Sequence, residues 1–185
     1  WANQGANDAD KYHTGNWGNG NEVPAAALIV GNHNNANYNA PADVTVTNTT
    51  VSATTSPALY VDANQTYDSE IIISGSETKV TGNIIKTNNE EGNGTATIVV
   101  TGGTYDVADA EQIEQILSYI PEDGTATLLL TESLNLTEDQ TLDLNKNVTI
   151  TAAEGKNIQL PAGSEIKINA DVTFTGFNTT TAIVG

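Results

Sequence analysis

Two carboxylates standing 27 residues apart, Asp43 and Glu70, are the pair in this sequence best suited to acid–base chemistry. Acids held side by side repel one another, so that one keeps its proton while the other stays ionised. Glycosidases divide their work between two carboxylates in this way. The position 27 further on is Thr97, so the pair gains no third acid. Other catalytic ingredients are sparse: there is no Cys and no Arg, and the two histidines, His13 and His33, are lone residues in polar stretches. For binding, the candidates are Trp1, Trp17 and Tyr38, whose rings can stack on sugars or pack on the flank of the protein. Asn7, Asp8 and Asp10 offer oxygens to a cation, but the run lacks the spaced Gly and distal Glu of a calcium loop. No metal or cofactor is expected.

Those residues must be positioned by a recurring short strand. Val44-Thr45-Val46-Thr47-Asn48 returns as Ile71-Ile72-Ile73-Ser74-Gly75 and as Ile98-Val99-Val100-Thr101-Gly102, in steps of 27. Each copy places aliphatic residues at its first and third positions and closes on Asn or Gly, which turn easily through left-handed conformations. A fixed period of this length is the signature of a solenoid. Strands stacking at this period place Asp43 and Glu70 on adjacent rungs, about 4.8 Å apart. Ala27-Leu28-Ile29-Val30-Gly31 resembles Ala58-Leu59-Tyr60-Val61-Asp62, and further strands are expected near Val51, Val80 and Ile84-Ile85.

The period changes after Val107. Ile113, Ile116, Leu117 and Ile120 fall on one helical face. Asp109 is the expected N-cap, Gln112 completes a capping-box pattern, and Pro121 ends the element. Residues 108–120 are thus predicted to form an amphipathic helix capping the junction of two solenoid segments. Beyond it a second ladder steps by 24: Leu134/Leu136 to Ile158/Leu160 to Ala182/Val184, Leu142/Leu144 to Ile166/Ile168, and Val148/Ile150 to Val172/Phe174. Thr149 and Thr151 stack on Thr173 and Thr175 as outward rows, on two rungs only. The expected fold is therefore all-β, a right-handed parallel β-helix (β-solenoid) in two segments with a short capping helix between them. The expected divisions are an Asn/Gly-rich loop region over 1–24, a first segment over 25–107, and the helix with a second segment over 108–185. That last coil reads as unfinished at Gly185, and the chain opens on Trp1 rather than Met, so the rest of a longer polypeptide is an expected partner.

Composition narrows the function classes. Six Lys against 23 acids give a net charge of −17, which repels nucleic acid and anionic lipid headgroups. No apolar run is long enough to insert into a membrane. Only 16% of residues are charged, so the polar surface is mostly Asn, Thr, Ser and Gly, as suits an extracellular module.

Ala25-Ala26-Ala27-Leu28-Ile29-Val30-Gly31-Asn32, Ser56-Pro57-Ala58-Leu59-Tyr60-Val61 and Val99-Val100-Thr101-Gly102-Gly103-Thr104-Tyr105 resemble right-handed parallel β-helix, pectin-lyase-like surface proteins of gut bacteria. The stretch from Ala110 to Leu136, with Leu128-Leu129-Leu130 and Glu132, resembles the opening coil of such a helix. The resemblance implies a bacterial cell-surface, adhesin-like protein. Leu160-Pro161-Ala162-Gly163-Ser164 lacks the Thr-Gly of a wall-sorting motif. The expected function is a noncatalytic module presenting a side face to glycans or host surface proteins. The alternatives are a polysaccharide lyase or glycoside hydrolase using Asp43 and Glu70, and a structural spacer within a larger surface protein.

Overall fold

Strict alternation of aliphatic and polar residues gives each short strand one face for a shared core and one for its exterior. A computed structural model describes residues 26–31, 41–63, 67–88, 94–177 and 183–184. The strands are parallel and wind as a β-solenoid of about five turns, with a single short helix among the described residues. They group into two units, one comprising residues up to Ser74 with Thr78–Val99, the other Gly75–Glu77 with Val100–Gly185.

The first unit holds β1 (Leu28–Gly31), β2 (Ala42–Thr47), β3 (Thr50–Ser52), β4 (Leu59–Ala63), β5 (Ser69–Ser74), β6 (Lys79–Thr81), β7 (Ile84–Asn88) and β8 (Ala96–Val100). They stack on three faces, in the orders β1-β4-β7 and β2-β5-β8, with β3 beside β6. The 27-residue step is observed at Val44↔Ile71. Other faces step differently, 28 to 59 at Leu28↔Leu59 and 59 to 84 at Leu59↔Ile84. Connections between strands absorb these differences while the inward side chains remain in line. Leu59, Val61, Ile71 and Ile73 are fully or almost fully buried, each contributing about 1.5–3 kcal/mol by leaving water. Thr78 is a buried polar residue, and its hydroxyl donates to the Ser74 carbonyl.

The second unit holds β9 (Thr104–Val107), α1 (Ala110–Tyr119), β10 (Ala126–Leu130), β11 (Leu134–Asn135), β12 (Thr141–Leu144), β13 (Val148–Ala152), β14 (Ile158–Gln159), β15 (Glu165–Ile168), β16 (Val172–Thr175) and β17 (Ile183–Val184). Its faces are β9-β10-β13-β16, β11-β14-β17 and β12-β15. The 24-residue step holds at Leu134↔Ile158, Leu142↔Ile166 and Val148↔Val172. It fails once. Ile183, not Ala182, pairs with Ile158, a step of 25. The spacing from Val148 to Ile158 is 10 residues and that from Val172 to Ile183 is 11, so one extra residue lies in the later connection. With a side-chain period of two, that single residue exchanges which neighbour takes the aligned position.

Helix α1 begins where the sequence indicates. The Asp109 carboxylate accepts from the Gln112 backbone N–H at 2.9 Å, and the Gln112 side-chain oxygen accepts from the Ala108 N–H at 2.8 Å. Ile113, Ile116 and Leu117 are buried. The helix does not interrupt the ladder. β9 and β10 pair directly, Tyr105 on Leu128, so α1 is an excursion between neighbouring rungs that takes the place of that coil's remaining strands. It packs against β9 and against β12, covering the first rung of the β12-β15 face. At the other edge of these faces burial falls. Leu144 is fully buried, whereas its partner Ile168 is 54% exposed.

Candidate functional site

The stacked register brings Asp43 and Glu70 together as expected, on adjacent rungs of β2 and β5. Asp43 is exposed and Glu70 half-buried. Both project from the outward positions of strands, and neither lines either of the clefts described below. As a chemical unit this is two adjacent acids on a strand exterior, able to accept hydrogen bonds from a donor. Trp1, Trp17 and Tyr38 lie outside the described residues, as do Asn7, Asp8, Asp10, His13 and His33. Among the described residues no cluster of three or more His, Cys, Asp or Glu could hold a metal ion. No helix among them is long and apolar enough to cross a membrane.

The exterior of β1-β4-β7 carries a network built on register steps of 31 (29 to 60) and 25 (60 to 85) residues rather than 27. Ile29, Tyr60 and Ile85 stack in register as an outward column, with Tyr60 buried and its neighbours half-buried. Two register pairs along, the Thr87 hydroxyl donates to the Asp62 carboxylate at 3.0 Å. That commits the only Thr87 proton, so the 3.0 Å contact with Tyr60 is made by the tyrosine hydroxyl donating to Thr87. Burial raises the Asp62 pKa above the ordinary carboxylate range, and the Thr87 hydrogen bond offsets only part of that rise. Tyr60 is likewise raised, first by burial. The arrangement is a closed relay that fixes the strand exterior, since the tyrosine ring is 9% exposed and offers little face to a ligand.

In the second unit the exterior of β9-β10-β13-β16 is built differently. Thr104, Thr127, Thr149 and Thr173 align on four successive rungs. Alongside them run Asp106, Leu129, Thr151 and Thr175. Thr151 and Thr175 hydrogen-bond through their hydroxyls at 2.8 Å. The four hydroxyls of the first column make no hydrogen bond to another described residue. At the start of these strands is a cleft of about 250 Å³ lined by Gly75, Ser76, Thr101, Gly102, Gly103, Thr125, Ala126 and Thr127. A Cβ on Gly102 would stand 3.0 Å from the Gly75 nitrogen, so the floor is backbone packed on backbone. A second cleft, of about 320 Å³, lies between α1 and β12 and is lined by charged groups, Glu114, Asp143 and Lys146, together with Ser118, Thr141 and Asn145. Asn169 donates to Asp143 at 2.8 Å beside it.

The rows Thr149/Thr151 and Thr173/Thr175 were visible as a 24-residue repeat. Thr104 and Thr127 were not, because their steps along the same column are 23 (104 to 127) and 22 (127 to 149). The signal that finds them is the alternation Thr-Tyr-Asp-Val and Ala-Thr-Leu-Leu-Leu, which aligns the strands by their buried residues rather than by a fixed count. Compared with protein-family models, curated proteins and solved structures, the chain matches none.

Proposed function

We propose that the chain is a noncatalytic, adhesin-like module of a bacterial cell surface, on a pectin-lyase-like parallel β-helix, which presents a side face to glycan or host protein. The observation that carries this reading is the outward column of four threonines in register beside an uncharged cleft. Hydroxyl-rich, weakly charged and repeated, such a face suits binding without chemistry. Asp43 and Glu70 support an enzyme less well, because Asp43 is exposed, Glu70 only half-buried, and neither lines either of the two clefts.

A glycan array and a pull-down against host surface proteins, run beside a polysaccharide-cleavage assay, test the proposal. Retention in either binding experiment with no cleavage is the expected result. Cleavage abolished by Asp43→Asn or Glu70→Gln would overturn it in favour of an enzyme. Three blank assays would leave the protein a spacer.

A further inference from the structure

Resting on that reading, we infer that the ligand is a neutral, hydroxyl-bearing polysaccharide chain, lying along the Thr104–Thr127–Thr149–Thr173 column with one end in the cleft lined by Gly75, Gly102 and Gly103. Thr127 belongs to both features, so cleft and column form one continuous surface within the second unit. No ionisable side chain lines the cleft, in a protein that carries 23 acids. A charged ligand finds no counter-charge there, whereas a neutral one gives up only hydrogen bonds to water that hydroxyl and backbone groups can replace. Each threonine hydroxyl both donates and accepts, matching the sugar hydroxyls of an extended chain whichever way they turn. Rungs repeat at about 4.8 Å, near the length of one sugar unit in an extended polymer, so successive sugars meet equivalent groups. Leu129, half-buried in the second column beside Thr127, provides an apolar contact for the C–H face of a sugar ring.

The other occupant, a protein, fits less well. Protein interfaces draw most of their binding energy from central aromatic and Arg anchors. Neither the cleft nor the two columns contain one.

Titration of the full chain with soluble neutral oligosaccharides of increasing length, read by calorimetry and amide chemical-shift changes, tests the inference. Affinity rises from mono- to tetrasaccharide and then levels off, because the column spans four rungs. Thr127→Val and Thr149→Val each weaken binding about tenfold, the loss of roughly one hydrogen bond. Thr149→Ser, which keeps the hydroxyl, retains binding and separates a lost contact from a lost fold. Oligosaccharide binding that survives both valine variants but is lost in Asp143→Ala would move the ligand to the other cleft and overturn the inference, leaving the binding function intact. Capture of a host protein, or of acidic polysaccharides alone, would do the same. No binding to glycan or protein would sink both.

Discussion

The two units share an inward pattern and differ in what they place outside it. In the first, the column Ile29–Tyr60–Ile85 is apolar and its tyrosine is buried, with the relay to Thr87 and Asp62 closing the adjacent polar positions. In the second, a different face, β9-β10-β13-β16, carries an exterior column of four threonines whose hydroxyls do not hydrogen-bond one another. The inward aliphatics fix the rung in both units, so the outward positions are free to differ: a hydrogen-bonded network on one face, a row of threonine hydroxyls on the other. Coil length differs for a similar reason. Steps from 22 to 31 residues are tolerated because only the strands must align, and extra residues enter the connections at modest entropic cost.

The sharpest way to break the comparison is to remove an inward residue from each unit. Ile71→Ala and Leu128→Ala each delete a fully buried side chain and should each cost about 2–5 kcal/mol in urea unfolding. A loss below about 1 kcal/mol in either would show that its rung is not part of a packed core. Next come two corner glycines with positive φ. Gly82→Ala in the first unit brings a Cβ to 2.4 Å from the Ala53 carbonyl oxygen at φ 113°, whereas Gly155→Ala in the second meets open space at φ 77°. Gly155→Ala should cost about 1–2 kcal/mol through backbone strain alone. Gly82→Ala should exceed it in thermal melts, and equal losses would mean the first corner is as open as the second. Truncating the α1 cap by Asp109→Ala should cost about 1 kcal/mol, read by far-ultraviolet dichroism during unfolding.

The smallest effects concern acid and have opposite signs in the two units. The raised pKa of Asp62 means that its contribution to stability is fully present below the ordinary carboxylate range and is lost as pH rises through the folded value. Asp62→Asn should therefore raise stability at neutral pH and flatten that part of the profile. Glu165 behaves the other way. Hydrogen bonds from Lys167 and Thr141 lower its pKa, so its contribution is present above the ordinary range and is lost as pH falls through the folded value. Being exposed, it should shift unfolding only slightly, and less in high salt. A matched pH series of urea melts on Asp62→Asn and Glu165→Gln checks both signs.

Much of the solenoid was legible because its periodic signal is local and repeated. Alternation identified the strands, and equal steps of 27 and 24 placed Val44 on Ile71 and Leu142 on Ile166. The α1 cap was legible for the same reason, since Asp109 and Gln112 lie within one turn. Features that depend on unequal connections were hidden. Tyr60 and Ile85 are 25 apart, Thr104 and Thr127 are 23 apart, and Ile183 displaces Ala182 by one residue. Nor does a helical period announce that the strands on either side of it, β9 and β10, pair with each other. The candidate surface rests on these uneven steps. Asp43 and Glu70, the pair that even spacing singled out, proved adjacent without being enclosed.

The position of α1 also bears on how such a chain can lengthen by gene duplication. The helix leaves the ladder between β9 and β10 and lies on β12, so the segment from Thr104 to Leu144 works only with its internal spacing intact. A 24-residue copy inserted between β10 and β12 would carry β12 a rung away from the helix and strip the cover from its apolar face. The same copy inserted after β13 leaves the α1 packing on β9 and β12 untouched and simply adds a rung to each face. An added rung is therefore expected to be accommodated more easily after β13 than between β10 and β12.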